Sequence, residues 1–335
     1  MSERVAVIGA GAWGTALANL LAHNGSTVRL WCYEEEVAAS VNGAHENRKY
    51  LGGVRLTETL VATTRLDEAL EGTAVAVSVS PSQHVRRVMG SAAAHLRADT
   101  IVVSASKGIE TRTGKTMDAV LADVLPAGAA ERATFLSGPS FALEVARGRP
   151  TAVVVASRSP EAAVVTQHLF QSDRFRVYTN PDVLGVELGG ALKNVMALAA
   201  GMTIGLELGH NALAALITRG LAEMARLGVA LGADARTFAG LAGMGDLILT
   251  CTGELSRNRR VGVELGRGRA IGEILGGMSE VAEGVETTRA TYALARDNGI
   301  EMPIVAEVHA VLFEGREPRE AVENLMLRDP KSELL

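Results

Sequence analysis

The stretch RVAVIGAGAWGTALANLL, residues 4–21, decides the fold of this chain. A β-branched run leads into Gly9, Gly11 and Gly14, and an alanine- and leucine-rich run follows them. Glycine permits a tight turn at the first position, leaves room for a pyrophosphate at the second and allows close strand–helix packing at the third. The N–H groups of the following helix face an anion. The stretch therefore predicts a strand–turn–helix unit that binds a dinucleotide.

Similar strand-like runs recur through the first half of the chain, with alanine-rich, helix-like segments such as 12–23, 82–96 and 114–125 between several of them. The runs are Val5–Ile8, Thr27–Trp31, Ala74–Val79, Thr100–Ser104, Thr134–Ser137 and Ala152–Ala156. Apolar strands separated by helical crossovers predict a doubly wound, mostly parallel sheet with helices on both faces, that is, a Rossmann-like α/β domain.

The second half of the chain has a different pattern. From Val183 onward Ala, Leu, Met and Glu recur at helical spacing, which predicts an all-α domain. Asn180-Pro181-Asp182 is a turn signal between the two patterns. We therefore predict a dinucleotide-binding domain over residues 1–180 and a helical substrate and catalytic domain over residues 181–335.

Charge and composition exclude several classes of function. The 335 residues carry a net charge of -5, which argues against a broad nucleic-acid or anionic-membrane surface. Cys32 and Cys251 have no metal or redox spacing, which suits a reducing compartment, and His, Cys and carboxylates form no metal-ligand pattern. The N-terminus lacks a signal-peptide pattern, and apolar runs such as 195–202 are short for a membrane span. We expect a cytoplasmic protein without a metal and without membrane insertion.

Three charged residues stand where charge is costly. Lys107, in SASKGIE, follows a strand at the end of the sheet where α/β proteins bind ligands. Lys193 lies in the apolar run ELGGALKNVMALAAG, where lost solvation would lower its pKa and make it a proton donor or acceptor. Asp246 precedes Thr250 by one helical turn and could orient a lysine. The alternatives are solvated lysines and an aspartate that caps a helix.

Two further segments predict contacts with an anion. Ser256-Arg257-Asn258 combines a helix-capping serine with an arginine that suits a phosphate, although a solvated basic helix start has the same pattern. In SGPSFALEV, Gly138 and Ser140 lie between a strand end and a helix start, where the backbone can approach a ligand closely.

Longer blocks then point to a family. The chain resembles the bacterial NAD(P)-dependent sn-glycerol-3-phosphate dehydrogenases from about residue 4 to about residue 328, in the blocks GAGAWGTALA, SASKGIE, SGPSFALE, ALKNVMALAAG, TRGLAEM, GMGDLILTC, SRNRRVG and VAEGVET. The resemblance implies reduction of dihydroxyacetone phosphate to sn-glycerol 3-phosphate with NADH or NADPH. That reaction supplies the glycerol backbone of phospholipids. The resemblance also implies a homodimer.

The resemblance implies a role for individual residues. Lys193 becomes the general acid/base, with Asp246 and Thr250 as the other catalytic residues. The implied substrate-binding residues are Lys107, Gly138, Ser140, Lys193, Asp246, Ser256, Arg257 and Asn258. The implied cofactor-binding positions are Gly9, Gly11, Ala12, Trp13, Gly14, Tyr33, Tyr50, Lys107, Ala142, Arg257, Val281 and Glu283.

The chain departs from the family pattern on the cofactor side. Ala12 stands where serine is common, and Tyr33 stands where a basic residue is frequent. Tyr33 and the acidic run Glu34-Glu35-Glu36 favour NAD, whereas Arg48 and Lys49 could fold back to hold a 2′-phosphate. The sequence leaves the choice of cofactor open.

Two other functions remain compatible with the pattern. A hydroxy-acid or sugar-acid dehydrogenase would also use a Rossmann domain, a helical domain and a lysine, although the Ser-Arg-Asn and Gly-Met-Gly-Asp segments speak against it. A non-catalytic dinucleotide sensor is the second, and the presence of both Lys193 and Asp246 disfavours it. His210, at a helix start, is expected to be structural.

Overall fold

The protein is described by a computed structural model that covers residues 3–278, 281–330, 332 and 333. Its strands are β1 Arg4–Ile8, β2 Thr27–Trp31, β3 Val61–Thr63, β4 Val75–Ser78, β5 Ile101–Ser104, β6 Ile109–Glu110, β7 Lys115–Thr116, β8 Thr134–Ser137, β9 Thr151–Ala156 and β10 Phe175–Asn180. Its helices up to residue 170 are α1 Ala12–His23, α2 Glu35–Ala44, α3 Leu66–Leu70, α4 Val85–Ala92, α5 Met117–Val124, α6 Ala127–Glu131, α7 Ala142–Ala146 and α8 Pro160–Phe170.

One sheet organises the first half of the chain. Across the described residues it has eight strands in the order β10-β9-β8-β5-β4-β1-β2-β3, and β6 and β7 form a separate hairpin. Every pair in the large sheet is parallel except β8 with β9. The predicted doubly wound, mostly parallel sheet is therefore confirmed.

The alternation of side chains along β1 explains why helices cover both faces of the sheet. Val5 and Val7 are buried in a core shared with α1 and α8, whereas Ala6 and Ile8 are buried in a second core shared with α4 and α5. A strand that is apolar on both faces must be covered on both, and α/β crossovers provide that cover. The carboxyl ends of the strands remain free to form a ligand site.

The second half is helical, as predicted. Its helices are α9 Val183–Gly205, α10 Gly209–Ala230, α11 Ala235–Phe238, α12 Asp246–Thr252, α13 Arg257–Gly266, α14 Ile271–Gly276, α15 Glu283–Asp297, α16 Pro303–Phe313 and α17 Pro318–Met326. The segment Leu241–Gly245 forms a π-helix that leads directly into α12. The sheet ends at Asn180 and α9 begins at Val183; the division into domains at residue 180 stays a prediction.

Helix α9 is the central element of the helical half. Glycines let it touch α13 backbone to backbone: a Cβ on Gly201 would lie 2.1 Å from the Arg259 carbonyl oxygen, and one on Gly262 would lie 2.1 Å from that of Leu198. Among the described residues, α9 alone is long and apolar enough to be a candidate membrane span. However, 89% of its apolar window is buried inside the protein, which identifies a core helix. The sequence estimate that apolar runs are short missed this helix because Lys193 interrupts it.

Candidate active site

The glycine turn between β1 and α1 is closed toward the protein and open toward solvent at one point. Gly9 has φ +120°, and a Cβ there would lie 3.0 Å from the Val79 backbone. A Cβ on Gly14 would lie 1.8 Å from the carbonyl oxygen of Gly9, whereas one on Gly11 would meet no atom within 4 Å. The open space at Gly11, beside the N-terminus of α1, fits the pyrophosphate of a dinucleotide.

An asparagine that the sequence analysis overlooked holds this turn in place. Asn47 is fully buried; its amide donates to the Ala10 carbonyl oxygen and to Thr15 Oγ1, both at 2.8 Å. Its Oδ1 accepts from the Tyr50 N–H at 3.1 Å. The Tyr50 hydroxyl in turn donates to Glu34 at 2.6 Å, so the loop that contains Tyr50 connects the glycine turn to the end of β2.

The other predicted cofactor positions lie in α1, after β2, at the start of α7 and around the start of α15. Trp13 follows Ala12 in the first turn of α1, and its buried indole N–H has no acceptor within the described part of the chain. Ala142 begins α7, while Tyr33 and Val281 are largely exposed. Glu283, at the start of α15, accepts from the Ser82 N–H at 2.9 Å and so joins the helical half to the end of β4.

A lysine–aspartate centre forms where three separate segments meet. Lys107 follows β5, Lys193 lies in the middle of α9, and Asp246 begins α12 directly after the π-helix. Lys107 Nζ donates to Asp246 Oδ2 at 2.8 Å, and Lys193 Nζ contacts Asp246 Oδ1. Lys193 is 7% exposed and Asp246 is 1% exposed. The sequence-predicted catalytic pair is thus brought together, with Lys107 as a third member.

Burial and the neighbouring charges together lower the pKa of both Lys193 and Asp246 in this centre. Burial is the main cause that lowers the pKa of Lys193 to about 7; the Asp246 carboxylate opposes this shift, and the Lys107 charge adds to it. For Asp246, burial alone would raise the pKa, but the two lysine ammonium groups outweigh burial and keep it below its usual range. The centre therefore contains a stable carboxylate and an amine that can gain or lose a proton near neutral pH.

Thr250 supports Asp246 rather than the lysine. Its hydroxyl donates to the Asp246 backbone oxygen at 2.6 Å and lies 3.3 Å from Asp246 Oδ1. The predicted spacing of one helical turn is therefore present.

The residues predicted to bind an anion lie in two segments, one directly after β8 and one at the start of α13. Gly138 has a φ of +123°, and its carbonyl oxygen accepts from Lys107 Nζ at 3.0 Å and from Ser140 Oγ at 2.9 Å. Ser256 caps α13, because its Oγ accepts from the Arg259 N–H at 3.2 Å. Arg257 follows as the first residue of α13 and is exposed.

A second overlooked asparagine directly follows Lys193 in α9. Asn194 is 6% exposed, and its Oδ1 accepts from Asn258 Nδ2 at 2.9 Å. The Asn258 Oδ1 accepts from the Gly284 N–H, also at 2.9 Å. This chain of hydrogen bonds ties α9, α13 and α15 together beside Lys193. An amide directly after a lysine in an apolar helix was the signal that could have identified Asn194.

Burial also affects the carboxyl group of Glu283. Burial raises its pKa, and the hydrogen bond from the Ser82 N–H and the charge of Arg257 act in the opposite direction. No group of three or more His, Cys, Asp and Glu side chains arranged for a metal ion occurs within residues 3–278, 281–330, 332 and 333. His210 lies exposed in the first turn of α10.

Comparison with known proteins agrees with this arrangement. Residues 4–163 match the model for the NAD-dependent glycerol-3-phosphate dehydrogenase N-terminus, and residues 182–323 match that for the C-terminus. A Geobacter metallireducens protein named glycerol-3-phosphate dehydrogenase [NAD(P)+] is 57% identical over 333 residues, 99% of each chain. A protein of the same name from Koribacter versatilis is 52% identical over 99% of each chain.

Solved structures lead to the same family. The crystal structure of glycerol-3-phosphate dehydrogenase from Coxiella burnetii superposes with a TM-score of 0.93 at 40% identity, and the match covers 98% of this chain and 99% of that one. The yeast enzyme superposes with a TM-score of 0.83 at 27% identity, covering 96% and 99%. This chain belongs to the NAD(P)-dependent glycerol-3-phosphate dehydrogenase family.

Proposed function

We propose that the lysine–aspartate centre of this NAD(P)-dependent glycerol-3-phosphate dehydrogenase reduces dihydroxyacetone phosphate to sn-glycerol 3-phosphate, with Lys193 as the proton donor. The observation that carries the proposal is the contact of the Lys193 and Lys107 amines with one buried carboxylate, that of Asp246. The product is the glycerol backbone of phospholipids, which assigns the chain to lipid metabolism.

The chemistry requires charge control at one oxygen. The bound reduced cofactor supplies a hydride to the carbonyl carbon of the substrate. Lys193 in its ammonium form stabilises the negative charge that develops on the carbonyl oxygen and then donates its proton to that oxygen. Asp246 holds the Lys193 amine in position and remains ionised because Lys107 and Lys193 both lie beside it. In the reverse direction the neutral Lys193 amine accepts the proton of the alcohol.

Other residues of the chain bind and orient the two ligands. We propose that Arg257 binds the substrate phosphate, because a guanidinium at the start of α13 offers paired donors to phosphate oxygens. Binding energy at the phosphate then aligns the carbonyl with Lys193. The other proposed substrate contacts are Lys107, Gly138, Ser140, Lys193, Asp246, Ser256 and Asn258, with Thr250 as the support of Asp246.

The proposed cofactor site extends from the glycine turn to the start of α15. The open space at Gly11 supports a pyrophosphate there, and the unpaired indole N–H of Trp13 supports a polar ligand beside it. The residues proposed to hold the cofactor are Gly9, Gly11, Ala12, Trp13, Gly14, Tyr33, Tyr50, Lys107, Ala142, Arg257, Val281 and Glu283.

Initial rates test the proposal against its two alternatives. Oxidation of NADH and of NADPH is followed by absorbance with dihydroxyacetone phosphate and, in parallel, with a ketone that carries a carboxylate in place of the phosphate. We expect turnover with the phosphorylated ketone. Preference for the carboxylate would favour a hydroxy-acid dehydrogenase. Cofactor binding without turnover of either ketone would favour a dinucleotide sensor.

The assembly and location expected from the sequence remain proposals. We propose a cytoplasmic homodimer, on the basis of the family resemblance. Light scattering after size exclusion would give twice the mass of one chain for the dimer, and the mass of one chain would contradict it.

A further inference from the structure

We infer that Glu34 binds the 2′-hydroxyl of the adenosine ribose and makes this chain selective for NADH over NADPH. The inference rests on the proposed function for the identity of the cofactor. It answers a question that the sequence left open, since Glu34-Glu35-Glu36 and the pair Arg48 and Lys49 pointed in opposite directions.

Glu34 is connected to the glycine turn from two sides. The Gly9 N–H donates to the Trp31 carbonyl oxygen at 3.1 Å, so the end of β2 lies beside the glycine turn. Glu34 follows three residues later, immediately before α2. From the other side, Asn47 bonds the carbonyl oxygen of Ala10, and the Tyr50 hydroxyl donates to Glu34 Oε1. Two separate connections, one through the backbone of β2 and one through Asn47 and Tyr50, therefore link this carboxylate to the glycine turn, where we propose that the pyrophosphate binds.

The Glu34 carboxylate can accept a hydrogen bond from a hydroxyl and carries a charge of the same sign as a phosphate. Oε1 of Glu34 accepts from the Tyr50 hydroxyl at 2.6 Å. Within the described part of the chain, no group donates a hydrogen bond to Oε2 of Glu34. An ionised carboxylate only accepts, so a ribose hydroxyl is a suitable partner and a phosphate is not. A 2′-phosphate carries about -1.5 to -2 charges at neutral pH, as phosphate monoesters do. Glu34 would repel it.

Arg48 and Lys49 are the cations of this loop that could attract a 2′-phosphate. Lys49 Nζ lies 2.5 Å from Glu36 and 3.6 Å from Glu34, and Arg48 Nε lies 3.4 Å from Glu46. Both cations are thus paired with carboxylates of this loop and the start of α2. Tyr33, directly before Glu34, is 72% exposed and uncharged. The surroundings of Glu34 hold more negative than positive charge, which disfavours a second phosphate.

The effect should be measurable without catalysis. Like charges about 4 Å apart in partly exposed surroundings repel enough to change an equilibrium by roughly tenfold to several hundredfold. We therefore expect NADH to bind at least about tenfold more tightly than NADPH. The lost hydroxyl contact would add to this difference.

The experiment measures dissociation constants by calorimetry, with no substrate present, for NADH, NADPH and the fragments 5′-AMP and 2′,5′-ADP. Wild-type protein should prefer NADH and discriminate against 2′,5′-ADP. Glu34→Gln should reduce the NADPH-to-NADH ratio of dissociation constants by about tenfold, since it removes the charge. Glu35→Gln is the matched control, because it removes a neighbouring exposed carboxylate and should change the ratio less than about twofold.

Equal or tighter binding of NADPH by the wild-type protein would overturn the inference, and so would an unchanged ratio in Glu34→Gln. Because these are binding constants, they separate the inference from the proposed reaction. Selective NADH binding without turnover of dihydroxyacetone phosphate would contradict the reaction and leave the selectivity of Glu34 intact. Turnover of dihydroxyacetone phosphate together with equal binding of NADH and NADPH would support the reaction and contradict the selectivity of Glu34.

Discussion

The glycine turn and the lysine–aspartate centre are built in different ways. The turn is local: residues 9–14 form it, and its shape depends on backbone and on missing Cβ atoms. The centre joins side chains from the loop after β5, from α9 and from α12, and Lys107 and Asp246 are 139 residues apart in sequence. A site of the first kind should be sensitive to added atoms. A site of the second kind should be sensitive to the loss of one charge.

The charge balance of the centre explains that sensitivity. A buried carboxylate and two amines cost desolvation energy, which their mutual attraction must offset. Removing one member leaves its partners in a nonpolar surrounding without compensation. The desolvation of the buried amine is also the main cause that lowers the pKa of Lys193 to about 7, a range useful for proton transfer.

The largest effect should follow from replacing Lys193, the proposed proton donor. Lys193→Met keeps the apolar stem and removes the amine, so kcat should fall by about 10²–10⁴, the usual contribution of a positioned acid. The dissociation constant for NADH should stay within about twofold, since the glycine turn is separate. Lys115→Met, at a surface ion pair with Asp123, is the control and should retain full turnover. A Lys193→Met enzyme within tenfold of wild type would remove Lys193 from the mechanism.

The pH dependence should show the state of the same amine. Reduction needs protonated Lys193, so kcat/KM for dihydroxyacetone phosphate should fall as pH rises through about 7. The fall should be about tenfold per pH unit, or roughly a hundredfold by pH 9. Oxidation of sn-glycerol 3-phosphate needs the neutral amine and should rise over the same range. In Asp246→Asn the carboxylate that raises the pKa of Lys193 is lost, so the fall in kcat/KM for dihydroxyacetone phosphate should begin at lower pH. A wild-type reduction profile flat from pH 6 to 9 contradicts the assignment.

A smaller effect is expected at the phosphate end of the substrate. Arg257→Ala should raise KM for dihydroxyacetone phosphate by roughly 10- to 100-fold, because charge-assisted hydrogen bonds are worth about 1.5–3 kcal/mol. The decrease in kcat should be smaller. Arg260→Ala is the control, since Arg260 is exposed on the same helix and has no proposed contact with substrate. Unaltered KM in Arg257→Ala would argue against a phosphate contact.

The smallest effects separate two glycines of the turn. Gly14→Ala places a Cβ 1.8 Å from the Gly9 carbonyl oxygen, and overpacking of this kind costs about 1–3 kcal/mol of stability. In Gly11→Ala the added Cβ meets no atom within 4 Å, and the φ of residue 11 is an ordinary -66°. The free energy of unfolding, measured with urea, should therefore change by less than about 0.5 kcal/mol. The affinity of Gly11→Ala for NADH should nevertheless fall. Equal stability of the two variants, or unchanged NADH affinity in Gly11→Ala, would contradict the geometry of the turn.

The same contrast explains what could be predicted from the sequence. The helix after the glycines was predicted over residues 12–23 and is Ala12–His23, because motif and periodicity agree locally. The predicted helix over 82–96 is α4 flanked by 3₁₀ turns at Ser82–His84 and Ala93–His95, which are tighter than the α-helical period used to predict it. Fold class and family also followed from patterns in the sequence.

Features that depend on distant partners were missed. Strand β10, Phe175–Asn180, alternates buried and exposed residues at a sheet edge, and β3 has only three residues, so neither forms an apolar run. Asn47 and Asn194 act through partners 37 and 64 residues away, respectively, and isolated asparagines otherwise indicate turns. The proximity of Lys107 and Asp246 likewise requires the folded chain.

The most direct test of the lysine–aspartate centre is the ionisation of Lys193 itself. The chain has few lysines, namely Lys49, Lys107, Lys115, Lys193 and Lys331, so ¹³C-lysine labelling gives a simple NMR spectrum. A pH titration should show one ε-carbon signal with a pKa of about 7, and that signal should be absent from Lys193→Met. If the signal lost in Lys193→Met instead titrates near 10, as solvated lysines do, Lys193 is not the buried proton donor.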